Sequence, residues 1–489
     1  MGEWPPRVSE PRQPSAAEQP AFDAASLAAA TGGRVVRAIE RPIRGGAVDS
    51  RKVEPGNAFF ALPGERTDGH RFLVAAANRG AAALVVTELP AASELDALAA
   101  VGASVVAVAD GLAALQQAAA AWRARFEPLV VGVTGSLAKT SVKEQAAEVL
   151  AERWGEQVLR NPANENNEIG LPLTLLRLKP RHAAAVLEMG MYVPTDIAAL
   201  AGLARPQVGV VTAVRATHLS RAGTIEAIEA GKRELVEALP AGGTAILNAD
   251  DERVARMAGV LESTVAVLGY GFAPSAAVTA IEVEPLAERG MRFKLRTPLG
   301  EARVESPALG RHGVHNALAG AAVGVAAGLD LETIVRGLAR PYRAPHRSTL
   351  VDIGAWRVLD DSYNAAPDSM LAALELLASL PGRRVAVLGE MLELGEGSAR
   401  AHRLVGERAG RTVELLVAVG PSARLYAAGA AGAGGVAEVH AVADLAAAAD
   451  VLAANLRPGD AILLKGSRGA ALDELLPVLE RLAGAGARA

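Results

Sequence analysis

The 489-residue sequence contains no cysteine, which excludes disulfide bonds, thiolate metal sites and a cysteine nucleophile. It also lacks an excess of basic residues, since 50 Lys and Arg stand against 54 Asp and Glu for a formal net charge of -4. A nucleic-acid partner is therefore not expected, because proteins that bind nucleic acids offer basic patches to the phosphate backbone. The overall charge therefore indicates no class of partner, and binding partners have to be inferred from individual motifs in the sequence.

Long apolar runs are scarce as well. The longest, at 317–329, is rich in alanine and glycine and is shorter than the roughly 20 residues of a membrane helix. It predicts a buried helix, and no membrane span is expected. The N-terminus lacks the basic start and apolar core of a secretory signal, and the polar, Pro- and Ala-rich stretch 1–24 is expected to be a disordered tail. These features favour a cytoplasmic protein.

The sequence does contain apolar, β-branched runs that alternate with longer Ala-, Leu- and Glu-rich stretches, a pattern typical of parallel βαβ structure. At roughly 150 residues per domain, the length favours three domains. We expect an α/β protein with a small first domain at 25–125, a middle domain at 126–341 and a last domain at 342–489. Alternating residues at 278–305 predict a small antiparallel unit within the middle domain.

Several predicted strands run directly into a polar or charged residue. Open parallel sheets bind ligands beyond the carboxyl ends of their strands, where loop amides and helix N-termini converge. The residues that follow predicted strands are therefore candidates for a site, and they are Glu188, His218, Asn248, Asp250, Asp360, Asp361, Glu390 and Lys465.

A strand, a tight loop at 132–140 and a helix follow one another near residue 130. In such an arrangement the loop amides and helix N-terminus attract phosphate, Lys139 reaches the outer phosphates and the Thr140 hydroxyl binds Mg²⁺. The expected ligand is ATP with magnesium. The general phosphate-loop motif has glycine where Ala138 stands, so a simple turn that contains Lys-Thr is the alternative. Alanine is tolerated at this position if its φ is negative.

The helix predicted at 224–240 carries Lys232 in the middle of its apolar stripe. A lysine there must extend to solvent, pair with an acid or be chemically altered, because burial disfavours the ammonium and favours the neutral amine. Extension to solvent is the simpler alternative. The sharper hypothesis is that Lys232 reacts with carbon dioxide to form a carbamate suited to a second Mg²⁺. Glu188 and His218 would complete the metal site with Thr140.

These features together resemble the Mur ligases. The family's loop, Gly-x-Thr-Gly-x-x-Gly-Lys-Thr, fits 132–140 except at Ala138, and Lys232 follows His218 at the spacing of the family's carbamylated lysine. The resemblance implies a small UDP-binding α/β domain, a central phosphate-loop ATPase domain with a parallel sheet and a C-terminal Rossmann-like domain. It also implies ATP, two Mg²⁺ ions and a carbamylated lysine as cofactors.

The resemblance implies roles for individual residues. Catalysis would depend on Lys139, His218, Lys232 and Arg347. ATP would be bound by Thr134, Gly135, Ser136, Lys139, Thr140, Ser141, Asn316 and Arg347. The metal ligands would be Thr140, Glu188, His218 and the carbamate of Lys232.

Further segments resemble the family members that join D-alanyl-D-alanine to a UDP-N-acetylmuramoyl tripeptide in peptidoglycan synthesis. These segments are 49–51, 164–172, 361–370, 388–395 and 465–468. The implied activity is ligation driven by ATP, in which the tripeptide carboxylate becomes an acyl phosphate that the dipeptide amine attacks. The implied substrate-binding residues are Ser50, Arg51, Asn166, Asn167, Asp361, Tyr363 and Asn364. The protein is expected to be a monomer.

Three further positions, besides Ala138, depart from the family pattern. Gly313 and Ala366 each stand where the family has Asn, and His346 stands where it has Gly. Ala138, Gly313 and Ala366 motivate one alternative, a catalytically silent relative that binds the precursor. A related amino-acid or folylpolyglutamate ligase is another, against which the first-domain and C-terminal segments argue. Retention of the lysine and metal positions favours an active enzyme. The sequence leaves the third residue of the tripeptide open.

Overall fold

The computed structural model describes residues 20–64, 67–162, 165–215, 223–342, 344–434 and 438–486. Most of the stretch expected to be a tail, and His218, lie outside these ranges. The described chain forms three α/β units, each with its own mainly parallel sheet, and a small antiparallel sheet. The expected α/β fold with parallel sheets is thus confirmed. Among the described residues, no helix is both long and apolar enough to cross a bilayer.

The first unit is built on five short strands. In chain order its elements are α1 Ala24–Ala30, β1 Arg34–Arg37, β2 Gly46–Ala47, β3 Ala58–Phe60, α2 Leu73–Asn78, β4 Ala83–Val86, α3 Ala92–Ala100, β5 Ser104–Ala107 and α4 Gly111–Arg123. The sheet order is β1-β5-β4-β3-β2, with only the β1–β5 pairing antiparallel. Strand β4 is apolar and fully buried, because helices cover both faces of a parallel sheet.

The middle unit contains the loop predicted to bind phosphate. Its elements begin with β6 Leu129–Thr134, α5 Lys139–Trp154, β7 Val158–Arg160, α6 Gly170–Leu175, β8 Ala184–Glu188, α7 Asp196–Ala204, β9 Val208–Val211, α8 Ile225–Glu237, β10 Thr244–Asn248, α9 Glu252–Ala255 and β11 Ala266–Tyr270. All pairings in the sheet, whose order is β11-β10-β9-β6-β8-β7, are parallel. The strands' carboxyl ends therefore meet along one edge.

The expected antiparallel unit is present after this sheet. It consists of β12 Thr279–Pro285, β13 Met291–Thr297 and β14 Gly300–Ser306, and it is followed by α10 Gly310–Ala326 and α11 Leu331–Leu338. Helix α10 contains most of the apolar run that predicted a buried helix, and nearly all of its residues from Gly313 onward are buried. Its glycines permit close contact with α5, since a Cβ at Gly320 would lie 2.7 Å from Gln145.

The last unit has a six-stranded sheet between two apolar cores. Its elements are β15 Thr349–Ile353, β16 Trp356–Asp360, α12 Pro367–Ala378, β17 Arg384–Leu388, α13 Ser398–Thr412, β18 Leu415–Val419, α14 Ala423–Gly432, β19 Glu438–Val442, α15 Leu445–Asn455, β20 Ala461–Lys465 and α16 Leu475–Gly486. The order is β15-β16-β20-β17-β18-β19, and only β15 is antiparallel. This is the Rossmann-like arrangement that the sequence predicts.

The units differ in how they join. The first and middle units share one apolar core, and the Trp122 indole donates to the Leu178 carbonyl at 3.0 Å. The middle and last units meet through polar contacts, among them the Arg357–Glu288 ion pair at 2.7 Å, and through Leu309, which packs against one core of the last unit. We expect the last unit to move more readily than the first, because polar interfaces between domains release more easily than apolar ones.

Candidate active site

A cavity of about 580 Å³ lies between the three units. Gln116 reaches it from the first unit, the phosphate loop and strand ends line it from the middle unit, and Arg347 and Lys465 line it from the last. Most of the predicted site residues in the described chain line this cavity, namely Ser136, Lys139, Thr140, Ser141, Asn166, Asn167, Glu188, Asn316, Arg347, Asp361, Tyr363 and Asn364.

The phosphate loop is held against the neighbouring strand end. The Ser136 amide donates to the Ala213 carbonyl at 2.8 Å, and the Thr212 hydroxyl donates to the Leu137 carbonyl at 2.5 Å. Gly135 has a φ of +147°, and a Cβ there would overlap the Thr212 hydroxyl. Close approach of the two segments thus requires glycine at position 135.

Ala138 does not meet the condition of a negative φ under which alanine is tolerated at this position. Its φ is +63° and its ψ is 2°, which is left-handed helical backbone. A side chain in this region costs roughly 1–2 kcal/mol because the Cβ crowds the following carbonyl. The chain therefore keeps the backbone turn of a glycine while carrying alanine, and the strain lies at the N-cap of α5.

Lys139 and Thr140 begin α5 and point into a buried polar floor. The Lys139 ammonium donates to the Gly135 carbonyl at 2.8 Å, and burial lowers the pKa of Lys139 although the Glu188 charge opposes this shift. The Thr140 hydroxyl donates to Glu188 Oε2 at 2.7 Å, and the Asn166 amide donates to Glu188 Oε1 at 2.8 Å. A hydroxyl and a carboxylate at a phosphate loop are the oxygen donors that Mg²⁺ prefers, so the floor fits a metal ion.

Lys232 lies on α8 with its side chain enclosed. The residue is 4% exposed, so extension to solvent, the simpler alternative, is wrong. Burial lowers the pKa of Lys232 well below its usual value, and the Lys139 charge adds to the shift. Within the described ranges, the Lys232 ammonium has no hydrogen bond or ion pair, and this part of the chain contains no cluster of three His, Asp or Glu with metal-binding geometry.

The last unit places a cation and an aromatic ring at the cavity. The Arg347 guanidinium lies over the Tyr363 ring, 4.1 Å from its centroid. Lys465 pairs with Asp361 Oδ2 at 2.6 Å and donates to the Asn364 carbonyl at 3.0 Å. The three predicted substrate contacts around Tyr363 are thus held together at one end of the sheet.

His346 departs from the family's glycine but keeps the glycine's backbone. Its φ is +59°, and its Nδ1 contacts Asp360 Oδ2 at 2.7 Å. The His346 carbonyl accepts from the Tyr363 amide at 3.0 Å. These contacts fix the backbone at His346, next to Arg347.

Gly313 has a packing explanation. A Cβ there would lie 3.0 Å from Ala308 Cβ, so the Asn of the family pattern would clash unless this segment shifts. The neighbouring Asn316 is buried. The Tyr342 hydroxyl is hydrogen-bonded to Asn316 and Ser141, and burial raises the pKa of the Tyr342 phenol.

Not every predicted residue lines the cavity. Ser50 and Arg51 are absent from its lining, and Arg51, whose side chain is 87% exposed, pairs with Asp49 at 2.9 Å. Thr134, Gly135 and Lys232 are also absent from the lining, and the Thr134 hydroxyl is buried without a hydrogen-bond partner among the described residues.

Two residues escaped the sequence analysis. Arg215 follows β9, lines the cavity and bonds to Ser136. Asn161 follows β7 and is 0% exposed. Both stand just beyond a strand, so the pattern that singled out Glu188 would have found them had it been applied to every strand.

Comparison with known proteins agrees with this architecture. Three family models match in sequence: the Mur ligase family catalytic domain at 42–123, the Mur ligase middle domain at 133–324 and the Mur ligase glutamate ligase domain at 346–468. The chain belongs to the Mur ligase family. The resemblance on which the sequence analysis relied is confirmed.

Individual relatives are more specific. The chain is 36% identical to the UDP-N-acetylmuramoyl-tripeptide–D-alanyl-D-alanine ligase of Escherichia coli, over 88% of this chain and 92% of that protein. It is 37% identical to the enzyme of that name from Mycobacterium bovis, over 88% and 91%. A crystal structure of MurF from Acinetobacter baumannii aligns with a TM-score of 0.84 and 30% identity, covering 95% of this chain and 99% of that one.

A structure with bound nucleotide is also similar. MurF ligase from Thermotoga maritima in complex with ADP aligns with a TM-score of 0.76 and 26% identity, over 91% of this chain and 99% of that chain. Folylpolyglutamate synthase from Mycobacterium tuberculosis aligns at only 17% identity, which indicates a common fold and nothing more.

Proposed function

We propose that this protein is an ATP-dependent ligase that joins D-alanyl-D-alanine to UDP-N-acetylmuramoyl tripeptide in peptidoglycan precursor synthesis. The observation that carries the proposal is the buried floor in which Lys139, Thr140 and Glu188 converge at a phosphate loop. The names of the curated relatives supply the substrates. A silent relative would have no use for a buried lysine whose pKa is lowered by burial and by the nearby Lys139 charge.

The residues divide by substrate. ATP is assigned to Thr134, Gly135, Ser136, Lys139, Thr140, Ser141, Asn316 and Arg347. The UDP-muramoyl tripeptide is assigned to Ser50, Arg51, Asn166 and Asn167, and D-alanyl-D-alanine to Asp361, Tyr363 and Asn364. The proposed domain division remains 25–125, 126–341 and 342–489, and we take the working enzyme to be a monomer in the cytoplasm, where ATP and nucleotide-linked precursors are made.

Magnesium is assigned to Thr140, Glu188, His218 and a carbamate on Lys232, and when bound it would offset negative charge on the phosphates. Lys232 is suited to carbamate formation because burial lowers its pKa and so favours the neutral amine, which is the form that attacks carbon dioxide. His218 is assigned from its position in the sequence.

The reaction follows from the need to activate a carboxylate. The tripeptide carboxylate attacks the γ-phosphorus of ATP, so that a C–O–P bond forms, the bond to the bridging oxygen breaks and ADP leaves. The free amine of the dipeptide then attacks the acyl carbon, the amide bond forms, and phosphate departs with the original carboxylate oxygen. Lys139 and Arg347 stabilise the charge that develops on the transferred phosphoryl group.

The test is phosphate release by purified protein with MgATP and UDP-muramoyl tripeptide. Release is expected only when D-alanyl-D-alanine is added. Lys232→Ala should lower the rate by at least about a hundredfold, because it removes the site of the carbamate. Lys294→Ala serves as the control, since Lys294 pairs with Glu301 in the antiparallel unit away from the cavity. Release without the dipeptide, or only with glutamate and a folate, would contradict the proposed substrates.

A further inference from the structure

The side chain of Asn161 forms hydrogen bonds with both the backbone amide and the backbone carbonyl of Glu188. Asn161 Oδ1 accepts from the Glu188 amide at 2.9 Å, and Asn161 Nδ2 donates to the Glu188 carbonyl at 3.0 Å. The same Nδ2 donates to the Glu165 carbonyl at 2.7 Å. Asn161 is 0% exposed, so none of these bonds competes with water, and each buried group would be costly to leave unpaired.

The Asn161 side chain continues the pairing with β8 beyond the point where β7 ends. The pairing of β7 with β8 ends at Arg160 opposite Val186, while β8 continues to Glu188. A primary amide offers one acceptor oxygen and two N–H donors, so it can replace the acceptor and donor of one peptide group and still make one further bond. Asn161 thus continues the ladder with its side chain, which leaves its main chain free to turn away toward residues 165–167.

The main chain of Asn161 is anchored in turn. Lys143, which is 0% exposed, donates to the Asn161 carbonyl at 2.6 Å and pairs with Glu144 at 2.8 Å. Lys143 lies one turn after Thr140 on α5. Helix α5 therefore carries Thr140, whose hydroxyl bonds to Glu188, and also anchors Asn161, which binds the Glu188 backbone.

The turn after Asn161 brings a further donor to the Glu188 carboxylate. Asn166 Nδ2 donates to Glu188 Oε1 at 2.8 Å, and the Asn166 carbonyl accepts from the Gly190 amide at 2.8 Å. Both carboxylate oxygens of Glu188 are thus oriented, one by Thr140 and the other by Asn166. The position of Asn166 depends on the chain that Asn161 holds through Glu165.

We propose that Asn161 is a positioning residue that orients the Glu188 carboxylate for the divalent cation and places Asn166 beside the same carboxylate. The inference rests on the proposed function, since it takes Glu188 to be a metal ligand. Loss of Asn161 lowers affinity for the cation more than it lowers the maximal rate. Groups that orient a metal ligand typically contribute 10–100-fold to metal affinity.

The experiment measures Mn²⁺ binding, by the electron paramagnetic resonance signal of free Mn²⁺, to full-length protein in the presence of ADP. Asn161→Ala removes all three side-chain bonds, and its Mn²⁺ dissociation constant should rise by about 10-fold or more. Asn161→Asp keeps the shape and the acceptor but loses both donors, and it should show the same direction. Thermal unfolding of each variant, recorded alongside, shows that the protein measured is folded.

Asn57→Ala is the matched control. Asn57 is also buried and also bridges backbone groups, accepting from the Glu54 amide at 3.1 Å and donating to the Arg44 carbonyl at 3.0 Å, but it belongs to the first unit away from the cation. Its Mn²⁺ affinity should equal that of the unchanged protein. In turnover assays, Asn161→Ala should raise the half-saturating Mg²⁺ concentration by a similar factor, with recovery of most of the rate at high Mg²⁺.

The outcomes separate the two proposals. If the unchanged protein with ADP binds no Mn²⁺, the proposed function is overturned together with the inference. If the unchanged protein binds Mn²⁺ and folded Asn161→Ala and Asn161→Asp bind it equally well, the inference alone is overturned. A fall in maximal rate that high Mg²⁺ does not restore, with unchanged Mn²⁺ affinity, would likewise make Asn161 a merely structural residue.

Discussion

Ala138 shows how a single residue can retain a motif's geometry at a cost in stability. Its left-handed backbone is the one that glycine adopts without a Cβ penalty. Ala138→Gly should therefore stabilise the protein, by about 1 kcal/mol or less after the entropy that glycine loses on folding is subtracted. Urea unfolding checks the size and sign of the change.

A second alanine on the same helix serves as the control. Ala151→Gly, in the interior of α5, should destabilise the protein by about 1 kcal/mol, because glycine is a poor helix former. If both variants are destabilised alike, residue 138 does not have a positive φ in solution.

Lys232 makes a prediction about pH. Burial lowers its pKa, so between that lowered pKa and the usual 10.5 the unfolded chain binds one more proton than the folded protein. The free energy of unfolding must then rise with pH, by about 1.4 kcal/mol per unit in this window. Lys232→Met, which keeps the bulk and has no amine, lacks this rise. The variant should be at least as stable as the unchanged protein at pH 7.5, and its relative stability should fall toward pH 10.

Urea unfolding of both proteins in buffer free of carbon dioxide, at several pH values, makes the comparison. A stability difference that does not change with pH would mean that Lys232 has the same charge in the folded and unfolded states. The neutral amine, and with it the basis for a carbamate, would then be excluded.

Helix α8, which carries Lys232, also caps its neighbour. Glu234 Oε1 accepts from the Thr195 amide at 2.7 Å and Oε2 from the Ala198 amide at 2.9 Å, so that one carboxylate covers the N-terminus of α7. Glu234→Ala should cost about 1–2 kcal/mol of stability, since it leaves helix amides unpaired and removes a favourable charge from the helix dipole. The free energy of unfolding in urea is the measurement.

Glu237→Ala is the control on the same helix. Among the residues that the structure describes, Glu237 pairs only with Arg233, across one turn at 2.7 Å on the exposed face. Such pairs contribute about 0.5 kcal/mol or less. Equal effects of the two substitutions would show that the cap on α7 does not form.

Elements with a strong local pattern could be predicted from the sequence. The apolar stripe at 224–240 predicted α8, although the helix ends at Glu237 and not near residue 240. Alternation and turn residues predicted the antiparallel unit. The first sheet was not predicted strand by strand, because strands such as Gly46–Ala47 are too short to show a period. The φ of Ala138 and the bonds of Asn161 depend on neighbours distant in sequence, and no local pattern encodes them.

At the scale of the whole molecule, Arg215 links two units across the cavity. Its guanidinium pairs with buried Asp251 of the middle unit and, through Nε, with Asp368 of the last unit at 2.9 Å. The Arg215 amide donates to the Ser136 hydroxyl at 3.0 Å, so the phosphate loop contacts the same residue. The Arg215–Asp368 ion pair therefore helps to hold the last unit against the middle unit.

Arg215→Ala should favour separation of the last unit from the middle one. The pair with Asp368 is partly exposed, so the expected change is about 1 kcal/mol or less, roughly a fivefold shift at most. Small-angle X-ray scattering should give a larger radius of gyration for Arg215→Ala than for the unchanged protein. The control is Arg233→Ala, whose ion pair lies within one helix and which should leave the radius of gyration unchanged. An unchanged radius in both would mean that Arg215 does not hold the two units together.

The measurement that tests the central claim most directly follows one oxygen atom. UDP-muramoyl tripeptide labelled with ¹⁸O at both oxygens of its terminal carboxylate is incubated with the protein, MgATP and D-alanyl-D-alanine. The masses of the peptide product and the phosphate are then measured by mass spectrometry. The account predicts a pentapeptide product and one ¹⁸O atom in each phosphate released, because phosphate departs with the activated carboxylate oxygen. Phosphate without the label, or release of phosphate with no pentapeptide, would contradict the account.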